Sequence, residues 1–321
     1  MLMKTKYLTF AILAFMLFAC SSEEEPSAER LFMAAEIVAD IEVPAAAKSR
    51  SSGQNWSEKD SIGIMAFGEG ANSIMGILYK NAKYITSSSG DCVTFMPANK
   101  HAIVFQDGME EVTFSAYAPY AISGAATVLP GTSGVVNGQN TLDQTKQKTF
   151  DYLFASGAKA TQSNPVVRFT GENSFRHMMT QLVLILELPT DGDGCFEKDE
   201  IQNAVYQLGG LKHNGTFNIK NGVATAMGDV VNDWVLPTFA YVESNPKHTY
   251  SFCLYPQTTD NGITFTITAG GQTHTTVLNP ALAASNPVSR FLQKVKKKGL
   301  KVSDCTIASW GDGIDQRVDA V

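Results

Sequence analysis

The chain has 321 residues, of which 44% are hydrophobic, with 25 basic and 31 acidic side chains and a net charge of −6. That length is ample for real cores and suggests about two domains, while the acidic balance repels a phosphate backbone and excludes nucleic acid as a partner. Five cysteines without a C-x-x-C pair exclude a zinc ribbon and a thioredoxin-like motif.

The first element is a targeting segment. Lys4 and Lys6 give a positive start and Tyr7 to Phe18 an apolar run, shorter than the roughly 20 residues a membrane-spanning helix needs. The run ends in Leu17-Phe18-Ala19-Cys20, which resembles the lipobox of bacterial lipoproteins. Residues 1–19 are therefore expected to be removed, and Cys20 to carry lipid that anchors the protein at the outer membrane. Removal leaves 302 residues, with 23 basic and 31 acidic side chains. Residues 20–30 follow as an acidic tether, in which Ser21-Ser22-Glu23-Glu24-Glu25-Pro26 should stay solvated. That run resembles a Bacteroidetes surface-export signal, and a plain charged linker is an equal reading.

From residue 31 the dominant period is two, punctuated by Gly, Ser, Asn, Asp and Pro clusters, which is the rhythm of an all-β chain. The longest alternation places Leu31, Met33, Ala35, Ile37, Ala39, Ile41 and Val43 on one face, with Glu36, Asp40 and Glu42 on the other. A helix would scatter these residues around its circumference, so this is one strand with a single buried face. Further strands are expected at 61–67, 92–96, 102–105, 111–117, 166–170 and 181–188. Later ones are expected at 215–219, 249–255, 262–269, 272–278, 291–296 and 305–310. Short helical turns are expected at 197–205 and 280–284. The basic cluster Lys294, Lys296, Lys297, Lys298 and Lys301 reads as the solvated face and turn of a late hairpin. Two β-sandwich domains are expected, 31–160 and 161–321, and no repeat of 20 to 50 residues suggests a solenoid or propeller. Cys92, Cys195, Cys253 and Cys305 allow three pairings or free thiols, and sequence does not choose among them.

Several segments resemble the Bacteroidales fimbrillin-like lipoproteins, whose best-understood members are type V pilins. They are Trp56-Ser-Glu-Lys-Asp60-Ser-Ile62-Gly63-Ile64, Phe114-Ser-Ala116-Tyr117-Ala-Pro119-Tyr120 and Asp151-Tyr152-Leu153-Phe154-Ala155. Phe175-Arg-His177-Met-Met-Thr-Gln-Leu182, Tyr255-Pro256-Gln257, Gly299-Leu300-Lys-Val302 and Ile307-Ala-Ser-Trp310 continue the series in order. The resemblance implies two sandwich domains of transthyretin-like topology and a role as a structural or accessory subunit of a fimbrium, with other fimbrial subunits or itself as partner. It also implies a mechanism. An arginine-specific protease cuts the small-residue stretch after Val43, for which Arg50 is the candidate, and the first strand is lost. A neighbour's strand then fills the groove by β-strand addition. A seven-residue apolar face left in water would cost of order 10 kcal/mol. An equal reading keeps 31–43 as a permanent strand. The candidate donor tail is thin, offering Ile314, Val318 and Ala320 after Trp310.

Physical readings of single residues accompany the resemblance. Trp56, Ile62 and Ile64 are expected in the core, with Asp60 bonding backbone amides at the start of the strand. His177 precedes a Leu-Val-Leu-Ile-Leu run and reads as a hydrogen-bonded core histidine. No G-x-S-x-G, H-E-x-x-H, P-loop or G-x-G-x-x-G occurs, so no enzyme, cofactor or metal is expected, although glycosidase-type carboxylate pairs leave no local signature. The alternative function is a surface lipoprotein that binds host or bacterial glycans without polymerising, with Trp234 and Tyr241 stacking on sugars.

Overall fold

The computed structural model describes residues 33–42, 55–67, 81–98, 102–105, 111–121, 134–283, 287–297 and 299–309. The targeting segment, Cys20, the acidic tether, Leu31, Val43, Arg50, Ile314 and Val318 lie outside the described residues.

The described chain is all-β apart from two 3-10 segments and one short helix, Lys198–Gln202. Eight strands form the first sheet, in the order Val166–Phe169, Glu36–Asp40, Cys92–Pro97, Ala82–Thr86, Ser61–Phe67, Val112–Ala118, Leu153–Ala160 and Arg176–His177. The sheet curls until Val166–Phe169 approaches Leu153–Ala160, enclosing a core that includes Ile37, Ile62, Ile64, Phe95, Phe114 and Phe169. Curling needs a local kink, and Gly157 provides one. It is the extra residue where the pairing of Val112–Ala118 with Leu153–Ala160 shifts register, and its φ of +85° favours glycine.

Two four-stranded sheets follow. One runs Lys247–Leu254, Thr180–Glu187, Pro287–Lys296, Gly299–Ser309, and the other Trp234–Val235, Val205–Gly209, Ile263–Ala269, Gln272–Leu278. Alternation drives their packing: in Ile263–Ala269 every odd-numbered residue is buried. The second core lies between them, with Leu182, Leu184, Leu208, Phe252, Phe265 and Phe291 among its members. A three-stranded sheet of Val223–Met227, Asn214–Asn218 and Val135–Asn137 joins the halves, because its last strand precedes residue 150 in the chain. A third apolar cluster fills the seam, where Tyr152 stacks on Phe217 at 4.4 Å between ring centres and Tyr117 and Tyr255 pack alongside.

The structure differs from the sequence expectations at several points. Val166–Phe169 and Arg176–His177 pair into the first sheet, although both follow residue 160. The helical turn expected at 197–205 occupies only Lys198–Gln202, started by a capping box between Glu197 and Glu200, and Val205–Gly209 is a strand. Residues 280–283 are not helical. The late basic cluster does flank a hairpin, Pro287–Lys296 with Gly299–Ser309, and Lys297 pairs with Glu200 at 2.8 Å.

Candidate functional site

The first strand is the element that sequence singles out, and the structure places it inside a sheet. Glu36–Asp40 runs parallel to Val166–Phe169 on one side and antiparallel to Cys92–Pro97 on the other. Ile37 stands opposite Val167 and Phe95, and Ala39 opposite Phe169 and Val93. Both are 0% exposed, and Ala35 and Ile41 are buried beside them. Large and small positions alternate along the buried face, and the small Ala39 is the one that stands opposite the Phe169 ring.

Both ends are tied down. Ala35 N–H donates to Ile103 O at 2.8 Å and Glu36 N–H to Pro165 O at 3.0 Å. At the other end Glu42 N–H donates to Phe175 O at 2.8 Å, Phe175 N–H donates to Asp40 O at 3.1 Å, and Arg176 Nε donates to Glu42 Oε2 at 2.7 Å. Underneath, Trp56 sets its ring edge-on to Phe95 and Phe175, with centroids 5.0 and 5.1 Å away. Asp60 accepts Ser57 N–H at 2.7 Å, the backbone bond expected of it, and Ile62 and Ile64 are fully buried. A cleft of about 570 Å³ opens where the strand ends, between Ile41, Trp56, Pro119, Lys148 and Asp151.

Of the expected seven-residue face, five positions are among the described residues, and four of these are buried. Ala35, Ile37, Ala39 and Ile41 are buried, but Met33 is 40% exposed, its strand Met33–Ala34 pairing instead with Val104–Phe105. Four buried side chains of this size correspond to about 6 kcal/mol, and less if the unfolded chain already hides apolar surface.

Other residues that sequence singled out fall elsewhere. His177 is buried with Nδ1 2.8 Å from Asp151 Oδ1. Trp234 and Tyr241 correct an expectation, because neither is available to stack on a sugar. Trp234 is 6% exposed, edge-on to His213 and Phe252, and the equally buried Tyr241 donates its hydroxyl to Leu188 O. Cys92, Cys195 and Cys253 are free thiols. Among the described residues no three His, Cys, Asp or Glu side chains gather as a metal site requires. Sequence showed no sign of the Arg176–Glu42 contact or of Val166–Phe169 as the parallel neighbour of the first strand, because each partner lies more than a hundred positions away.

The fimbrillin-like family model matches residues 49–310. The chain is a member of the fimbrillin-like family. The matched span begins after Glu36–Asp40 and includes the other seven strands of the first sheet. Solved structures share the fold. One is a candidate cell adhesion protein of Bacteroides ovatus, with TM-score 0.67 and 23% identity over 88% of this chain and 99% of that one. Another, from Bacteroides uniformis and described in the same terms, has TM-score 0.64 and 20% identity over 87% and 98%. A comparison with curated protein sequences returns no significant match. Membership agrees with the resemblance drawn from the Trp56, Tyr117, Asp151 and His177 segments.

Proposed function

We propose that this protein is a cell-surface fimbrial subunit, structural or accessory, that works by assembly and not by catalysis. On this reading Cys20 carries the lipid anchor, and cleavage at Arg50 detaches the anchor together with the first strand. The vacated groove then accepts an extended strand from another subunit or a second copy. One observation carries the reading. Among the described residues Glu36–Asp40 is the first strand of its sheet, yet it is bonded on both sides and buries an apolar face. Such a strand can leave without threading through a loop, and its loss leaves two open edges and an apolar trough that only another strand can fill.

The test is limited proteolysis with an arginine-specific protease, followed by electrophoresis in SDS without boiling. A stable core beginning at Ser51 should form ladders when intact chains are added, and Cys20→Ser should abolish fatty-acid labelling. Resistance of Arg50 in the folded protein, or a cut core that stays monomeric at high concentration, refutes strand exchange.

A further inference from the structure

The segment that follows the first half of the sheet, residues 134–150, crosses the second half as a strap. Val135–Asn137 pairs with Asn214–Asn218, Tyr255 donates its hydroxyl to Gln139 O at 2.8 Å, and Thr141 N–H donates to His213 O at 2.9 Å. Beyond Thr141 the strap reaches Lys247–Leu254, an edge strand of its sheet. There the Gln144 side chain imitates a backbone partner. Its Oε1 accepts Cys253 N–H at 2.9 Å, and its Nε2 donates to Cys253 O at 3.1 Å. Gln147 Nε2 donates to Ser251 O at 2.9 Å. Two glutamines thus satisfy main-chain groups that an added strand would otherwise take.

His213 lies beneath the middle of the strap. It is 1% exposed, its Nδ1 is 3.0 Å from Thr141 Oγ1, and its ring sits edge-on to Trp234 at 4.6 Å. Nε2 is buried without a hydrogen-bond partner. The charged or titratable groups on the packing elements offer it no acceptor. On the strap, Asp143 is paired with Lys146 at 3.0 Å. Lys212 precedes the histidine, Asp233 precedes Trp234, and Lys247 and His248 stand at the far end of the edge strand from Phe252. A proton on Nε2 would be a buried charge with no counter-ion and no acceptor.

We propose that the strap is an acid-released cover: protonation of His213 loosens residues 139–147, and the uncovered Lys247–Leu254 edge then pairs with the same edge of a second copy. Charge favours that partner under the same condition. The chain carries −6 at pH 7, and its isoelectric point near 5.4 removes the repulsion between copies as the pH falls. Burial pushes the His213 ring down from 6.5 to about 4. A base depressed in the closed state holds the strap fully above pH 6.5 and loses that hold as the pH drops. The opening equilibrium therefore rises between pH 7 and pH 5 by up to about twenty-fold, the full factor requiring the ring to leave Trp234 as well as Thr141.

The test is hydrogen exchange by NMR on the purified chain at pH 7 and pH 5, corrected for intrinsic rates, with sedimentation velocity at both values. Protection at Thr141 and Cys253 should fall several-fold, and at most about twenty-fold, more than at Ile62 in the first core, and dimers should appear at pH 5. His213→Gln, which can still reach Thr141, and His213→Phe, which preserves the ring, should both lose the pH dependence and remain monomeric. The variants keep nearly the same isoelectric point, so association of wild type and variants alike would be nonspecific and would overturn the proposal. Uniform loss of protection across both cores, or no loss at Cys253, would overturn it as well.

Discussion

Ile37→Ala tests whether the first strand holds the core it touches. The side chain is completely buried between Val167 and Phe95, so the substitution removes three carbons from a closed site. At about 0.8 kcal/mol per carbon the transfer loss is about 2.4 kcal/mol, and the cavity left between two flanking strands raises the cost to about 3–4 kcal/mol. Two neighbours calibrate it. Ile41→Ala lies against the open cleft, where side chains and water can relax into the space, and should cost about 2 kcal/mol. Val38→Ala, on the partly exposed face opposite Thr94, should cost under about 1 kcal/mol. Urea denaturation followed by tryptophan fluorescence measures all three from the midpoint at constant slope. A cost below about 1 kcal/mol for Ile37→Ala, or one equal to that of Val38→Ala, would mean that the strand lies on the core without supporting it.

Arg176→Met removes the 2.7 Å contact to Glu42 at a site where both side chains are more than a third exposed, so the stability change should stay below about 1 kcal/mol. A loss above about 2 kcal/mol in the same urea assay would show that this end of the strand is held by more than a surface ion pair. Burial raises the pKa values of Tyr117, Tyr206, Tyr250 and Tyr255 well above the ordinary 10. Acids raised in the folded state contribute stability that is complete below pH 10 and is lost as pH rises beyond it. Absorbance at 295 nm should then show part of the ten tyrosines ionising only as the protein unfolds. Smooth titration of all of them near pH 10 with circular dichroism unchanged would contradict this burial.

Where alternation was long, the strand was legible: Ser61–Phe67 and Gln272–Leu278 fall where the period of two places them. Two-residue strands such as Arg176–His177 and Trp234–Val235 are too short to show a period, and their existence depends on partners distant in sequence. Val205–Gly209 was hidden by the polar run that begins the neighbouring helix, whose capping signal is stronger than a five-residue alternation. Trp234 misled for a related reason. Its polar neighbours Asn232 and Asp233 suggest an exposed ring, but pairing with Leu208 turns the side chain into the second core. Of the candidate site, the buried face of the first strand could be read locally. The walls of the groove could not, because Phe95 and Phe169 reach it through pairing alone.

On the strand-exchange reading proposed above, strand order makes the first strand the one that can be replaced. Thr180–Glu187 also lies between an antiparallel and a parallel neighbour, Lys247–Leu254 and Pro287–Lys296, but it sits mid-chain and cannot leave. Glu36–Asp40 has the same two-sided setting but precedes every other described strand of its sheet, and its removal would expose one neighbour of each direction, so backbone bonding would admit a donor either way round. Selection therefore falls to side-chain size. The trough presents large, small, large and small positions, occupied by Ile41, Ala39, Ile37 and Ala35, and the small Ala39 position is bounded by Phe169. In this chain's own tail, Ile314 and Val318 can take the two large positions in either direction, but Gln316 then falls on the Ala39 position. Burying an amide there without partners costs roughly 1–3 kcal/mol, besides the clash of a long side chain with the ring. On that reading the tail still enters a copy of its own groove, but with a penalty that a donor carrying a small residue at this position would not meet. A peptide of residues 312–321 added to the core freed of its first strand should bind at least about tenfold more weakly than the same peptide carrying Gln316→Ala, measured by fluorescence anisotropy. Equal binding by the two peptides would mean that the tail does not enter the trough in this register.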